Sequence, residues 1–204
     1  MKFEKTVFMD KLFKIYGEID RVCKDSADYY GFSCDGCNDN CCKTVFYHYT
    51  VVESFALLEG FDKLPAEIRD ESMRRGRDYL QDLEKHRGKE EELDMMCPLN
   101  YSGLCRIYEY RPLICRIHGF PGGLDHQVKG NQSFTGCRIF NKTFQKEWTH
   151  LIDRTPFYTR IANLEGQIRR EMDYRMRFRK TIAEMLIERK LYDGLDPGAG
   201  DKHR

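Results

Sequence analysis

The sequence predicts a mainly α-helical fold with a cysteine-rich, irregular metal-binding core and a small β-hairpin. Apolar residues recur at helical spacing near both ends of the chain. Between these ends, cysteines cluster in two segments where glycine, proline and asparagine interrupt the periodicity. We therefore expect a helical scaffold that is organised around its cysteines, with the cysteine-cluster core at about residues 32–140.

The length and charge fit a single domain that spans residues 1–204, with a formal net charge of +1. This balance gives no overall field that would attract nucleic acid, and the basic C-terminal positions alternate with acidic ones, as on a solvated face. No segment is apolar enough to suggest a membrane span. The expected partner is a metal ion or cluster, and a protein partner stays open.

The N-terminal flank, about residues 3–23, is predicted to be a helix. Its apolar positions are spaced three and four residues apart, which places them on one helix face. These positions are Phe8, Leu12, Ile15, Ile19 and Val22. Cys23 lies beside this stripe, and we expect it to be a small buried core thiol and not a metal ligand.

Eight of the nine cysteines fall into two ordered clusters. The first is Cys34-x-x-Cys37-x-x-x-Cys41-Cys42, and the second contains Cys97, Cys105, Cys115 and Cys137. Thiolates are soft ligands that select zinc, Cu(I) or iron–sulfur clusters. Disulfides are the competing interpretation, but charged residues interrupt the first 17 positions and leave no signal-peptide pattern. We therefore expect a cytoplasmic protein whose cysteines bind metal.

The first cluster lies in residues 32–43, where Asp, Asn and Gly favour a tight metal-binding knuckle. Cys34 and Cys37 are spaced to bind one metal. Consecutive side chains on an extended backbone point to opposite sides, so one of Cys41 and Cys42 is a candidate for a second metal or another role. This geometry leaves both one centre and two centres open.

Two scaffold helices are predicted between the clusters. The first covers residues 50–59 and ends at Gly60, and the second covers residues 65–87, with proline in its first turn. In the second cluster, proline and glycine break the periodicity repeatedly. We expect its ligands on loops around one helical turn near residues 107–111.

The predicted β-hairpin covers residues 127–134, with Gly130 and Asn131 in its middle, and presents Cys137 to the site. The glycine-rich residues 119–123 lack the context of a phosphate-binding loop and are expected to form a turn beside the site.

Helices are predicted for the C-terminal flank, about residues 141–191. A short helix is expected to close near residues 148–152, and Thr155-Pro156 signals the start of a long one. The long helix is expected to carry the apolar positions up to Ile182, Met185 and Leu186. Residues 194–204 are expected to be a flexible tail.

The second cluster contains the pattern Cys105-Arg-Ile-Tyr-Glu, then Arg111-Pro and Cys115-Arg. Together with the upstream C-x-x-C-x-x-x-C-C knuckle, this pattern closely resembles the zinc- or iron-chelating cysteine-cluster domain family, over roughly residues 32–140. The resemblance implies eight metal-site cysteines. They are Cys34, Cys37, Cys41, Cys42, Cys97, Cys105, Cys115 and Cys137.

The chain departs from the family pattern after Cys115-Arg, where many members have a further cysteine and this chain has His118. We expect His118 and His48 to be structural or hydrogen-bonding residues. Arg111 and Arg116 are expected to donate hydrogen bonds to sulfur or to loop carbonyls, and Tyr108 is expected to pack under the ligand loop.

An iron–sulfur cluster, [4Fe-4S] in type, is favoured over zinc for two reasons. The chain has one C-x-x-C, whereas an ordinary four-cysteine zinc site often uses two. Cys97-Pro98 is also similar to the cysteine–proline of bacterial ferredoxins. Zinc stays the alternative.

No sequence motif specifies a reaction, because no phosphate-binding loop, dinucleotide fingerprint or nucleophile–base arrangement can be identified. The expected function is a metalloprotein whose site is structural or transfers electrons. A metal trafficking or storage protein is one alternative. The other is a methyltransferase-like enzyme, because flagellin lysine methylase has a similar cysteine-cluster domain.

Overall fold

The computed structural model describes residues 5–34, 41–126, 130–145 and 148–189. These residues form a mainly helical structure with two small sheets, which confirms the predicted fold class. No helix in these ranges is both long and apolar enough to cross a bilayer. The α-helices are α1 (Lys5–Tyr30), α2 (Val51–Asp62), α3 (Ala66–Lys85), α4 (Leu113–Ile117), α5 (Arg138–Phe144), α6 (Thr155–Glu171) and α7 (Ile182–Ile187).

Helix α1 buries the predicted stripe except for Val22, which is partly buried, and extends about two turns beyond its predicted end at Cys23. The helix ends at Tyr30, and Gly31, which follows it, has a φ of 60°. The N–H groups of Gly31 and Phe32 donate to the carbonyls of Asp28 and Ala27, which is the hydrogen-bond pattern of a Schellman cap. The extra turns carry Tyr30, whose ring packs against the aromatic side chains of α5.

Helix α2 passes through Gly60, so the predicted stop at this residue is wrong. A Cβ atom at Gly60 would lie 2.4 Å from the ring of Tyr110. The glycine therefore permits close packing of this ring on the helix and does not end it. Helix α3 starts directly after Pro65 and ends within two residues of the predicted position, which confirms the second scaffold helix.

Within the described ranges there are also five short strands: β1 (Asn100–Tyr101), β2 (Leu104–Cys105), β3 (Pro121–His126), β4 (Gly130–Thr135) and β5 (Ile152–Asp153). Strands β1 and β2 form a hairpin. Its two turn residues, Ser102 and Gly103, have φ values of 52° and 86°. Type I′ turns require positive φ at both positions, and these turns match the twist of a tight hairpin.

Strands β3 and β4 confirm the predicted hairpin, but its boundaries differ from those predicted. Gly130 and Asn131 begin β4 instead of forming the turn, and residues 127–129 lie outside the described ranges. Residues 121–123, predicted as part of a turn, belong to β3. A Cβ atom at Gly122 would lie 2.4 Å from the carbonyl oxygen of Ile152, so this glycine permits the parallel pairing of β3 with β5.

The C-terminal helices differ from the prediction in two ways. Helix α5 ends at Phe144, and Ile152 lies in β5 instead of closing a helix. The long helix predicted from Thr155 is interrupted between α6 and α7, and Thr181 begins α7 with a capping box to Glu184. This capping signal outweighs the apolar periodicity that continues across the break. The predicted flexible tail lies outside the described residues.

The main hydrophobic core joins α1, α2, α4, α6 and α7. Leu12, Leu57 and Ile168 are completely buried at its centre. Cys97 and Cys105 are partly buried and pack against this core. The cysteine-rich segments are therefore anchored on the helical scaffold.

Candidate metal centre

A cavity of about 520 Å³ lies where the cysteine-bearing segments meet. Seven of the eight predicted metal-site cysteines line it: Cys34, Cys41, Cys42, Cys97, Cys105, Cys115 and Cys137. The eighth, Cys37, lies outside the described residues. Folding therefore brings two clusters that are far apart in sequence to one place.

Cys41 and Cys42 open a 3₁₀ helix, Cys41–Lys43, and do not lie on an extended backbone. Their thiols form a hydrogen bond, in which Cys41 donates. This bond raises the pKa of Cys41 and lowers the pKa of Cys42. The expectation that these two side chains point to opposite sides is therefore wrong, because it assumed an extended backbone.

The β1–β2 hairpin positions two cysteines of the second cluster. Cys105 pairs with Asn100 across the hairpin, and Cys97 precedes β1 by three residues. Arg75 on α3 donates to the carbonyls of Asn100 at 2.7 Å and Cys97 at 3.3 Å. The N–H group of Cys97 donates to the carbonyl of Cys42 at 2.9 Å, so the hairpin is also attached to the first cluster.

Backbone amides already point at three of the cavity sulfurs, those of Cys97, Cys105 and Cys137. Each donor lies two or three residues after its cysteine. The donors are the N–H groups of Leu99, Ile107 and Phe140. Hydrogen bonds of this kind favour the ionised thiolate and are common around bound metals.

Cys115 lies on α4, so the prediction that all ligands of the second cluster come from loops is wrong. Burial raises the pKa of Cys115 and of Cys97, and the neighbouring thiols raise both further. These buried sulfurs are thus neutral thiols in the metal-free protein at neutral pH. Metal binding would release their protons, so metal affinity must depend on pH.

Arg116 confirms the prediction of an arginine that supports the loop. Its buried guanidinium group donates to the carbonyls of Arg111 and Glu109 and pairs with Asp20 on α1. These contacts hold the segment between the 3₁₀ helix Tyr108–Tyr110 and α4.

Arg111 supplies positive charge to the cavity. Burial raises the pKa of Cys105 and of Cys115, and the charge of Arg111 opposes this rise. The guanidinium group lies 3.4 Å from the centre of the Tyr108 ring. Tyr108 is 57% exposed, so the prediction that it packs under the ligand loop is wrong.

The two histidines considered as structural residues lie in different surroundings. His118 packs edge-on against the ring of Phe46, at 4.8 Å between ring centres. His48 is buried, lines the cavity and forms an isolated backbone bridge with Lys180. Cys23 is buried, as predicted, and its thiol donates to the carbonyl of Arg116, but it also lines the cavity.

Two buried polar residues near the cavity were missed by sequence analysis. Asn100 lines the cavity at the start of β1. Arg154 donates to the carbonyls of Ile117 and Phe120. Arg154 therefore holds the turn that contains Gly119, whose carbonyl accepts a hydrogen bond from the N–H group of Cys137. The sequence feature that could have identified Asn100 is its position just before the Ser102-Gly103 turn. For Arg154, the Thr155-Pro156 pair shows only that it precedes a helix.

The donor set fits a metal or cluster that prefers sulfur ligands. Asp20 is the only carboxylate among the described lining residues, and it is paired with Arg116. Within the part of the chain that the structure describes, no three His, Cys, Asp or Glu side chains already form a group that could hold a metal ion. The thiols are instead distributed around the cavity wall.

These features define a helical, cysteine-rich protein with a candidate metal centre between two cysteine clusters. The model of the CxxCxxCC family, described as "Putative zinc- or iron-chelating domain", matches residues 33–138, which is just over half of the chain. The chain belongs to this family, and the match confirms the resemblance seen in the sequence. The family description supports a zinc- or iron-chelating role. Neither a curated protein nor a solved structure matches the chain with significant similarity.

Proposed function

We propose that this protein binds an iron–sulfur cluster, of the [4Fe-4S] type, and that the cluster has a structural or electron-transfer role. The observation that carries the proposal is the meeting of seven thiols from two distant segments around one cavity. The ligand candidates are Cys34, Cys37, Cys41, Cys42, Cys97, Cys105, Cys115 and Cys137.

The arrangement of the cysteines supports a cluster over zinc. A four-cysteine zinc site often uses two C-x-x-C knuckles, whereas this chain has one. Its other candidate thiols come from distant segments that meet at the cavity, which suits a cluster with several metal atoms. Zinc remains the alternative, because it uses the same donor type.

The residues of this chain would hold the cluster from two sides. The β1–β2 hairpin and α4 carry Cys97, Cys105 and Cys115 on backbone that is anchored to the core. The 3₁₀ helix brings Cys41 and Cys42 from the opposite segment. When bound, an iron–sulfur cluster supplies one-electron transfer.

The rim of the cavity is open to solvent. Cys34 is exposed, and the lining residues Leu104 and Tyr108 have exposed fractions of 70% and 57%. A redox partner could therefore approach the centre from this side without unfolding of the helical scaffold. This accessibility supports an electron-transfer role alongside the structural one.

We also propose that residues 1–204 act as one domain. Helix α1 packs against α4, which carries Cys115, and against α6. Helix α3 packs against α7 and also carries Arg75, which holds the β1–β2 hairpin. The flanking helices are thus part of the support of the site.

The decisive experiment is metal and acid-labile sulfide analysis of protein purified without oxygen from iron-supplemented cells. We expect iron and sulfide in equal amounts and broad absorbance at about 400 nm, as for thiolate-bound iron–sulfur clusters. Stoichiometric zinc without iron or sulfide would contradict the proposal. Rapid loss of the metal to a mild chelator would favour the trafficking or storage role.

A further inference from the structure

Asn100 is a buried amide in the wall of the cavity. Its exposed fraction is 3%, and it pairs with Cys105 across the β1–β2 hairpin. It also follows Cys97 by three residues, and the Asn100 N–H group donates to the Cys97 carbonyl at 2.9 Å. The amide side chain therefore starts from a backbone position between two candidate ligands.

The orientation of this side chain is set by the hairpin turn. The backbone N–H group of Gly103 donates to Oδ1 of Asn100 at 3.1 Å. A backbone N–H group can only donate, so the atom facing Gly103 must be the amide oxygen. The Nδ2 group, with its two N–H donors, must then point to the other side of the side chain.

The Nδ2 group of Asn100 is buried and makes no hydrogen bond within the described residues. Buried amide donors nearly always have a partner, so an unpaired donor in the wall of a cavity indicates an acceptor that forms when the site is filled. Cys42 lines the same cavity, and its side chain lies beside that of Asn100. Metal binding removes the proton of this thiol and so leaves a sulfur that can accept from Nδ2.

We infer that Asn100 donates an N–H···S hydrogen bond to the metal-bound Cys42 thiolate, or to a cluster sulfide beside it, and thereby tunes the centre. The inference rests on the proposed function, because it requires a thiolate-bound group in the cavity. A donor of this kind withdraws electron density from sulfur and stabilises the more negative, reduced state. Asn100 therefore raises the reduction potential of the cluster.

The test compares midpoint potentials of full-length protein reconstituted with iron and sulfide. Asn100→Leu removes the donor at similar volume and without a change of charge. Asn100→Ser retains a hydroxyl that can accept from Gly103 but is too short to reach Cys42. Asn131→Ser makes the same change at an exposed position of β4 and serves as the control.

We expect both Asn100 variants to retain the cluster and to shift its midpoint potential to more negative values, while the control keeps the wild-type potential. An unchanged potential in either folded, cluster-containing Asn100 variant overturns the inference. If Asn100→Leu does not fold, Asn100→Ser decides alone. A structural role without the hydrogen bond would change cluster content or melting temperature but not the potential.

Failure of the proposed function gives a different result, because wild-type protein would then take up no iron and sulfide. In that case the same variants are loaded with Zn²⁺, and its release to a chelator is measured. Loss of a hydrogen bond to a metal ligand typically costs roughly 10- to 100-fold in metal affinity, and we expect release to accelerate accordingly. An unchanged release rate overturns the inference for zinc as well.

Discussion

The backbone N–H group of Cys97 donates to the carbonyl oxygen of Cys42 at 2.9 Å. This bond joins the two cysteine clusters, although α2 and α3 separate them in the sequence. Each cluster is therefore held partly by the other, and a metal bound between them would connect distant parts of the chain. Metal binding should then contribute directly to folding stability.

The first prediction concerns ligand and non-ligand cysteines in the same cavity. We expect Cys97→Ser to lose metal and to lower the free energy of unfolding by several kcal/mol, because a buried thiolate donor is removed. Cys23→Ser is the matched control, since its hydroxyl can still donate to the Arg116 carbonyl. Metal analysis and denaturant unfolding check both variants. Full metal content in Cys97→Ser would exclude Cys97 as a ligand.

The second prediction concerns Glu53, a buried carboxyl group that joins three helices. It accepts hydrogen bonds from the Tyr16 hydroxyl at 3.1 Å, the Leu113 N–H group at 2.7 Å and the Thr50 hydroxyl at 2.7 Å. Glu53→Ala leaves these buried donors unpaired, and we expect a loss of about 2–4 kcal/mol of stability. Glu53→Gln keeps an amide oxygen that can accept from Tyr16 and Leu113, so it should lower the free energy of unfolding by clearly less than Glu53→Ala. Equal losses in urea unfolding would contradict this.

The pH dependence of the Glu53→Gln effect has a definite sign. Burial raises the pKa of Glu53, so the folded state keeps this proton at pH values where the unfolded state has lost it. The contribution of Glu53 to stability is therefore present at low pH and is lost as the pH rises above about 4.5. We expect the stability of wild type relative to Glu53→Gln to fall as the pH rises above about 4.5 in urea titrations. A rise in this relative stability with pH would show that the folded state favours the ionised carboxylate of Glu53.

The third prediction concerns His48, whose pKa burial lowers to about 4. Below pH 6.5 the unfolded chain binds a proton that the folded state excludes, so stability falls as the pH decreases from 6.5 to 4. The contribution lost is roughly 3 kcal/mol at 1.36 kcal/mol per pKa unit. His48→Gln should remove this part of the pH dependence. His86→Gln, at the partly exposed end of α3, should leave it unchanged, and equal effects of both variants would contradict the prediction.

The fourth prediction compares two helical glycines. Gly60→Ala places a Cβ atom 2.4 Å from the Tyr110 ring, whereas Gly17→Ala in α1 meets nothing within 4 Å. Alanine favours a helix by about 1 kcal/mol over glycine, so Gly17→Ala should raise the melting temperature. Gly60→Ala should lower stability by about 1–3 kcal/mol, because the overpacking exceeds this gain. Stabilisation by both changes would show that the Tyr110 ring moves freely.

Much of the fold and of the candidate ligand set could be predicted from local sequence. The apolar stripe of α1 and the proline before α3 depend on neighbours along the chain, and both elements are present. The spacing of the cysteines and the Cys105 and Cys115 motifs are sufficient to identify the family. These signals are local because periodicity, helix starts and motif spacing are properties of short segments.

Contacts between distant segments settle what the local pattern leaves open. The directions of the Cys41 and Cys42 side chains depend on a 3₁₀ helix. The role of Gly60 depends on the ring of Tyr110, which comes from a distant segment. The direction of the Asn100 amide depends on its hydrogen bond with Gly103 in the hairpin turn. Asn100 can donate to sulfur only because folding places Cys42 of the first cluster beside it. The order of residues is enough to establish which donors are present and the class of metal they favour. Which of these donors meet depends on tertiary packing, because side-chain direction and burial arise from contacts between residues that are far apart in the chain.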